Sequence, residues 1–498
     1  MQVDAAFGKI WEDRSDTIVL GIFQDSENLH GTLNHVDKAL NGQIGRLIGK
    51  GMITGKTEEL IVIHPDGKTP AGQVILVGVG KPEDLHLGVL RRASAVSAKR
   101  AQELGAETVS TALHTLNNGD LSVADSAEAV AQGAIMGLYR FTELKTVKPD
   151  RKDIRRFTLI EDDPSKVQEV TQGARIGQTM GESVCFARDL VNLPANIMTP
   201  LRLWETAQSM ADAYNLKAAV LDETDITRLG MNAFMSVARG SHNPPRFIIL
   251  EHNHGRADIP AVALVGKAVT FDSGGISLKP GAGMEAMKGD MAGAAAVLGA
   301  IRAAAILNLP VRIIALIPAA ENMPGGGASR PGDVEKSLMG LTIEIVSTDA
   351  EGRLCLADAL TYAQEYNPDA ILDIATLTGA CGVALGSGAA GVMGDERLTV
   401  LLQEAGKKSG DRVWPLPLFE EYQEQIRSDV ADVKNSGGRP AGALTAGCFL
   451  QKFVPHGIPW AHIDIAGISM ESKGKPETPK GATGFGVSLF VELLRNWE

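Results

Sequence analysis

The chain has 498 residues, 44% apolar and 22% charged, with a formal net charge of −12; this balance excludes disordered and fibrous classes and exceeds what one hydrophobic core usually supports. The negative charge disfavours nucleic acid and anionic membranes as bulk partners and suits small or peptide substrates. Cys185, Cys355, Cys381 and Cys448 are far apart and form no C-x-x-C pair, which argues against a thiolate zinc site or a disulfide framework and predicts reduced, mostly buried thiols.

The first residues carry no basic cluster followed by an apolar stretch and a small-residue cleavage site, so no secretory signal is expected and a cytoplasmic location follows. β-rich runs at 17–23, 60–64 and 73–80 precede a helical stretch at 89–104, and residues 1–162 read as a smaller N-terminal α/β domain. Asp163 as N-cap and Pro164 at the first helical position open a helical connector, 163–190, which Asn192, Pro194 and Pro200 end. Across 191–498, buried-strand candidates at 261–265, 311–317, 341–346, 370–374 and 462–466 alternate with Ala-rich helices. That pattern predicts a larger C-terminal catalytic α/β domain with a mostly parallel or mixed central sheet flanked by helices. The apolar tract 297–320 is interrupted by Arg302, Pro310 and Arg312, so it reads as a helix followed by a buried strand and not as a membrane span. No repeat of fixed period and no G-x-x-x-x-G-K-[ST] motif occurs; Pro324-Gly-Gly-Gly-Ala-Ser reads as a surface loop.

The chemistry concentrates in three segments. Val265-Gly-Lys-Ala-Val-Thr-Phe-Asp-Ser-Gly-Gly-Ile-Ser-Leu-Lys279 follows a short apolar strand and carries Lys267, Asp272 and Lys279 at its exit, where α/β sites collect. Met287-Lys-Gly-Asp290 stands immediately before an Ala-rich helix, so Asp290 can point to the same sheet edge. Ser347-Thr-Asp349-Ala-Glu351-Gly-Arg353 follows the strand candidate 341–346, and in an extended stretch the three charges at spacing two would face one way.

Two hard divalent cations held roughly 3.5–4 Å apart need several carboxylates to offset and bridge them, which Asp272, Asp290, Asp349 and Glu351 supply. Lys267 could join such a shell as a neutral amine, its pKa lowered by burial and by the cation. Lys279 and Arg353 would then stay charged, stabilising an oxyanion and orienting the group that takes a proton from the attacking water. Thr348-x-x-Glu351 is also a capping box and Asp272-Ser-Gly-Gly an ordinary tight turn; four acids, two lysines and an arginine gathered at strand ends favour the metal site over those local readings. His252-Asn-His254 reads as a solvated polar loop with no third ligand nearby. His462-Ile-Asp464 reads as a satisfied core or supporting pair. No G-x-S-x-G elbow supports a serine hydrolase, and the acidic surroundings of Cys355 raise its pKa and argue against a nucleophilic thiol.

At these residues the sequence resembles the leucine aminopeptidase family, also called cytosol aminopeptidases, and among them the bacterial aminopeptidase A branch. The family signature Asn-Thr-Asp-Ala-Glu-Gly-Arg-Leu stands here as Ser347-Thr-Asp-Ala-Glu-Gly-Arg-Leu354, with serine in place of the usual asparagine at a position that is not a metal ligand in the family. The likeness continues through Gly266-Lys-Ala-Val-Thr-Phe-Asp-Ser-Gly-Gly, Glu321-Asn-Met-Pro, Arg330-Pro-Gly-Asp-Val, Asp373-Ile-Ala-Thr-Leu-Thr-Gly and Ile463-Asp-Ile-Ala-Gly.

The resemblance implies a leucyl aminopeptidase that uses a metal-bridging water. Lys267, Asp272, Asp290 and Glu351 would hold the tighter metal, Asp272, Asp349 and Glu351 the more exchangeable one. Manganese or zinc is the implied metal pair, with magnesium or cobalt also permitted by carboxylate ligands. It further implies that Lys279 assists at the carbonyl oxygen and that Arg353 holds a bicarbonate acting as general base. Met287, Thr376, Gly379 and Ala466 match positions lining the pocket for the first side chain, with Ser469 near another. Peptides with a free N-terminus are the implied substrates and a homohexamer the implied assembly.

Two other classes remain for comparison. Some bacterial relatives also act as architectural DNA-binding regulators, and Arg140, Lys145, Lys148, Arg151, Lys152, Arg155 and Arg156 form a basic run here; a solvated face is the ordinary reading of such a run, so DNA binding is possible but not favoured. A non-catalytic metal scaffold is disfavoured because Lys279 and Arg353 are both retained beside the ligands.

Overall fold

The computed structural model describes residues 1–25, 29, 31–116, 120–147 and 151–497. It comprises two compact α/β units, Met1–Cys185 together with Lys473–Lys480, and Phe186–Ser472 together with Gly481–Glu498.

The first unit is built on a six-stranded sheet of β1 (Gln2–Phe7), β2 (Thr17–Ile22), β3 (Leu60–Ile63), β4 (Gln73–Gly78), β5 (Thr108–Thr111) and β6 (Arg156–Glu161), in the order β1-β6-β5-β2-β4-β3. All neighbours are parallel except β3 and β4. β2 and β4 are continuous apolar runs because both faces are covered. Val19, Ile75 and Val77 pack with helices Leu87–Glu103 and Val123–Leu138, whereas Ile18, Leu20, Val74 and Leu76 pack with Val36, Leu40 and Ile44. The two longer helices approach closely at glycine: a Cβ on Gly133 would lie 2.1 Å from the Arg91 carbonyl oxygen.

The helix expected from Asp163 begins instead at Val167 and runs to Asn192. Asp163 Oδ1 accepts from Ser165 N at 2.9 Å and Ser165 Oγ at 2.6 Å, so this side chain closes a turn ahead of the helix.

The second unit contains β7 (Lys217–Leu221), β8 (Arg246–His252), β9 (Ala261–Gly266), β10 (Ala268–Asp272), β11 (Arg312–Asn322), β12 (Val334–Lys336), β13 (Thr342–Glu344), β14 (Ala370–Ala375), β15 (Ala390–Gly394), β16 (Val413–Pro415), β17 (Val433–Lys434) and β18 (Trp460–Asp464). The main sheet runs β16-β15-β18-β14-β9-β11-β8-β7, with β10 paired to β11. Its centre, β18-β14-β9-β11, is parallel, and antiparallel neighbours flank it. Every residue of β9, β14 and β18 is buried. Helix Ala292–Leu307 packs against this centre, while helices Asn232–Ala238 and Gly352–Tyr362 share a core with Phe247, Ile314 and Leu316. The segment Met284–Leu307 is long and apolar enough to cross a membrane, but 78% of it is buried within the fold, as befits a core helix followed by strand β11.

Two expectations need correction. The strand at 341–346 is not part of the main sheet: β13 is three residues long and sits in a separate sheet of order β12-β13-β17. Its sequence alternates, with Ile343 and Ile345 buried and Thr342 and Glu344 half-exposed, which is the pattern of a half-buried strand and not of a central one. His252-Asn-His254 is a solvated turn only from Asn253 on, with His254 half-exposed. His252 ends β8, is buried, and places Nε2 3.1 Å from the Leu309 carbonyl oxygen, while His254 Nδ1 lies 3.2 Å from Glu251 Oε2. None of the four cysteines is in a disulfide; Cys185 is half-buried and the others are buried.

Candidate metal centre

The central parallel strands deliver the charged residues at their C-terminal ends, where backbone N–H groups and loops converge. Lys267 directly follows β9, and Asp272 ends β10. Asp290 caps the short 3-10 helix Met284–Gly289, Thr376 follows β14, and Glu351 is the N-cap of helix Gly352–Tyr362.

Lys267 is buried, and its ammonium lies 2.9 and 2.8 Å from the two oxygens of Asp290, 2.8 Å from Glu351 Oε1 and 3.0 Å from the Thr376 carbonyl oxygen. Thr376 Oγ1 also donates to Asp290 Oδ1 at 2.7 Å. Asp272 Oδ1 accepts from Gly274 N at 2.9 Å and Asn322 Nδ2 at 2.7 Å, so its Oδ2 is the oxygen that meets Lys279 Nζ at 2.8 Å. Lys279 Nζ reaches Asp349 Oδ1 at 2.5 Å. Asp272, Asp290 and Glu351 are all buried, and one carboxylate oxygen of each lies within 4.8 Å of the others. Asp349 is joined to them through Lys279 and is the most accessible of the four, with 39% of its side chain exposed.

The cluster carries more negative than positive charge, four carboxylates against two lysines. Burial raises the pKa of Asp272, Asp290 and Asp349; Glu351 adds to the rise at Asp272 and Asp290, and the lysines oppose it. Burial pulls Lys267 down, yet Asp290, Glu351 and Asp272 together hold it above the ordinary lysine value. With carboxylates alone around it, Lys267 is an ammonium. The neutral amine expected of a ligand requires the added field of a cation. Glu351 Oε2 is buried and accepts no hydrogen bond. An orphaned carboxylate oxygen inside an acid-rich cage fits a hard divalent cation, because such a group is costly to bury without a partner.

The route by which Asp349, Glu351 and Arg353 converge differs from the extended stretch expected. The backbone turns helical at Glu351 (φ −77°, ψ −38°), and Arg353 lies in the first turn of the helix. Thr348 forms no capping box: its Oγ1 donates to the Gly274 carbonyl at 2.7 Å and accepts from Ser277 N at 2.8 Å, while Glu351 turns to Lys267. The tight turn at Asp272-Ser-Gly-Gly is present and is part of the cluster, with Gly274 and Gly275 both at positive φ. Arg353 is buried, donates Nη1 to the Asn435 carbonyl at 2.7 Å, and has a buried Nε with no acceptor. Burial lowers its pKa to about 10, against the pull of Glu351 and Asp464.

Of the expected pocket residues, Thr376 touches the cluster directly. Met287 lies in the 3-10 helix before Asp290, Gly379 opens helix Gly379–Leu385 with free space where a side chain would be, and Ala466 N donates to Asp464 Oδ1 at 3.1 Å. Ser469 is buried, its carbonyl bonded by Thr483. His462 and Asp464 are supporting core residues: His462 Nδ1 meets Asp373 Oδ1 at 2.5 Å, and Asp464 Oδ2 accepts from Thr378 Oγ1 at 2.7 Å. Cys355 is buried, and burial followed by the Glu351 charge raises its thiol pKa well above the ordinary value, so it is no nucleophile.

Four residues of the basic run have partners, while Lys145 and Arg151 are exposed. Lys152 and Arg155 pair with Glu107 at 2.9 and 3.1 Å, Arg156 lies 3.7 Å from Asp4, and Arg140 donates to Gln102. Lys148 lies outside the described residues.

Two buried asparagines went unassigned in the sequence. Asn435 Oδ1 accepts from Val346 N at 2.9 Å and its Nδ2 donates to the Ser347 carbonyl at 2.7 Å, which holds the acidic loop where the family's usual asparagine is absent. Asn322 bonds Asp272. Its place in Glu321-Asn-Met-Pro, one of the stretches that carry the family likeness, and at the end of a buried strand could have marked it.

Comparison with known proteins agrees with this geometry. The catalytic-domain model of the cytosol aminopeptidase family matches residues 185–491, and its N-terminal-domain model matches residues 19–148. A probable cytosol aminopeptidase of Geotalea uraniireducens (strain Rf4) is 47% identical over 462 residues, 92% of each chain. One from Geobacter sulfurreducens is 46% identical over 480 residues, 96% of each. Among solved structures, a tomato leucine aminopeptidase variant superposes with a TM-score of 0.88 at 32% identity, covering 99% of this chain and 96% of its own. A bottromycin maturation enzyme, BotP, in complex with Mn gives 0.85 at 35% identity, covering 97% of this chain and 99% of its own.

Proposed function

The chain belongs to the cytosol aminopeptidase family and is a metal-dependent aminopeptidase, and from that premise we propose that it releases leucine and other largely apolar N-terminal residues from peptides with two divalent cations. The observation that carries this reading is the convergence of Asp272, Asp290 and Glu351 oxygens within 4.8 Å in a buried, acid-rich cage. Lys267, Asp272, Asp290 and Glu351 would hold one cation and Asp272, Asp349 and Glu351 the other, with manganese or zinc the best candidates. When bound, the two cations supply Lewis acidity toward the scissile carbonyl and make water nucleophilic at neutral pH.

The chain's own residues supply the rest. A free N-terminal amine, in its neutral form, would find a Lewis-acid partner in the loaded centre, and that requirement would restrict cleavage to the chain end. Lys279, partly exposed and charged, stabilises the negative charge that develops on the carbonyl oxygen. Arg353, whose buried Nε lacks an acceptor, would hold a bicarbonate that serves as general base. Met287, Thr376, Gly379 and Ala466 would line the pocket for the first side chain. We also place the protein in the cytoplasm, where four free thiols stay reduced, as a homohexamer.

The test is release of leucine from leucine amide by the full chain with Mn(II), after chelation, and in Asp349→Ala. Turnover that disappears on chelation and in the variant supports the reading. Chelator-resistant turnover, or none with any metal, overturns it.

A further inference from the structure

The acidic loop that carries Asp349 and Glu351 leaves β13, which belongs to the small sheet, whereas Asp272 stands on β10 beside the main sheet. Ligands on separate sheets drift relative to one another unless something ties them. Thr348 and Lys279 bridge the two segments, but the tie that bonds the Asp272 carboxylate itself to the loop backbone is the last residue of β11: Asn322 Nδ2 donates to Asp272 Oδ1 at 2.7 Å and to the Thr348 carbonyl oxygen at 3.0 Å. The Asn322 carbonyl meanwhile accepts from Ser273 N at 3.0 Å and Ser273 Oγ at 2.7 Å, which fixes the residue after Asp272. Asn322 is 4% exposed, so no water replaces these bonds cheaply. The contact is close enough to restrict the sequence around it: a Cβ on Gly275 would lie 2.8 Å from Asn322 Oδ1 and 3.0 Å from Thr348 Oγ1.

We infer that Asn322 is a positioning residue that locks the Asp272 carboxylate to the Asp349–Glu351 loop and thereby sets the ligand geometry on both sides of the centre. It acts through Asp272. With Oδ1 held by Asn322 and Gly274 N, Asp272 presents Oδ2 to the cage in one orientation. This inference rests on the metal-centre reading above. Residues that orient a ligand from behind typically change metal affinity about tenfold to a hundredfold when replaced.

The experiment titrates Mn(II) into the chelator-stripped full chain and follows free Mn(II) by electron paramagnetic resonance for wild type, Asn322→Asp and Asn322→Leu. Both substitutions approximate the shape of asparagine and remove the Nδ2 donor. Binding weaker by about tenfold to a hundredfold, with circular dichroism unchanged, supports the inference. If Asn322→Leu does not fold, Asn322→Asp decides alone. Variants that unfold at lower denaturant but bind Mn(II) with wild-type affinity when folded overturn it, because a merely structural residue behaves that way. A wild-type chain that binds no Mn(II) overturns the metal-centre reading itself, and this inference with it.

Discussion

Gly352 lies directly against Lys267: a Cβ at Gly352 would sit 2.5 Å from Lys267 Cε and 2.7 Å from its Nζ. The Lys267 ammonium cannot swing aside, because Asp290, Glu351 and the Thr376 carbonyl hold it. Glycine after Glu351 is therefore a steric requirement of the centre, although it opens a helix in which alanine is intrinsically better by roughly 1 kcal/mol. Gly352→Ala is expected to lower Mn(II) affinity and turnover about tenfold or more, as replacing ligand-orienting residues does. The melting temperature should fall little, since the helix gain offsets part of the clash. A variant with wild-type Mn(II) binding would show that Lys267 yields freely.

Asp358 has no place in the metal centre, yet it is a buried carboxyl with a pKa pushed up to about 7. Burial is the cause, resisted by backbone N–H groups of Leu338 and Phe234 that donate to its two oxygens at 2.8 and 2.9 Å. The folded state holds this proton where the unfolded chain, near 3.8, has released it. Its stability contribution is thus greatest below pH 4 and declines as pH rises toward 7, by roughly 4 kcal/mol at most. Asp358→Asn cannot titrate, so chemical denaturation of the two proteins at pH 5 and pH 8 should show wild type losing stability relative to the variant. Parallel pH profiles would mean that Asp358 is ionised throughout.

How much of this was legible in the sequence depends on what fixed each feature. The central strands β9 and β11 were visible because burial on both faces writes a long apolar run, and β14 is interrupted only by Asp373; β18 was expected at 462–466 and runs Trp460–Asp464, its pattern blurred by His462 and Asp464. Asp349 and Glu351 were found for a reason that fails: their spacing of two suggested an extended strand, whereas a helical N-terminus turns Glu351 into the cage. Thr348 shows the converse, a capping-box pattern whose hydroxyl serves Gly274 instead. Asn322 stood in the quoted stretch Glu321-Asn-Met-Pro without a role, and Asn435 was passed over, because an amide's partners are chosen by tertiary pairing. The grouping of Lys473–Lys480 with the first unit has the same character.

Glu251 forms another concentrated charge cluster of the second unit. It is 2% exposed and lies 3.2 Å from Lys217 Nζ, 2.9 Å from Arg312 Nη2 and 3.2 Å from His254 Nδ1. Burial would raise its pKa, but the hydrogen bonds from Arg312, His254 and Lys217 prevail and hold it below 4.5. A depressed carboxylate contributes stability that is fully present above its unfolded value and is lost as pH falls through the folded one. Glu251→Gln should therefore destabilise by about 3 kcal/mol at pH 7, the low end of the roughly 3–5 kcal/mol for breaking one partner out of a buried pair, because Lys217 and His254 are half-exposed. The gap from wild type should narrow in denaturation curves as pH falls below 4.5 and close only once pH passes the lowered pKa of the folded carboxyl. A gap independent of pH would assign the loss to packing.

Arg353 separates the proposed base function from metal holding. Its Nη1 bond to the Asn435 carbonyl fixes the guanidinium, and its Nε points to no acceptor within the described residues. Lysine can keep the charge but not both contacts, because it has one nitrogen on a flexible stem. Arg353→Lys is expected to bind Mn(II) as wild type does and to lose turnover about a hundredfold, the lower end of what a positioned general base contributes. In carbonate-free buffer the wild-type rate should rise on adding bicarbonate, and the variant's rate should not. Turnover in the variant that responds to bicarbonate like wild type would remove Arg353 from that role and leave it as the anchor between helix Gly352–Tyr362 and Asn435.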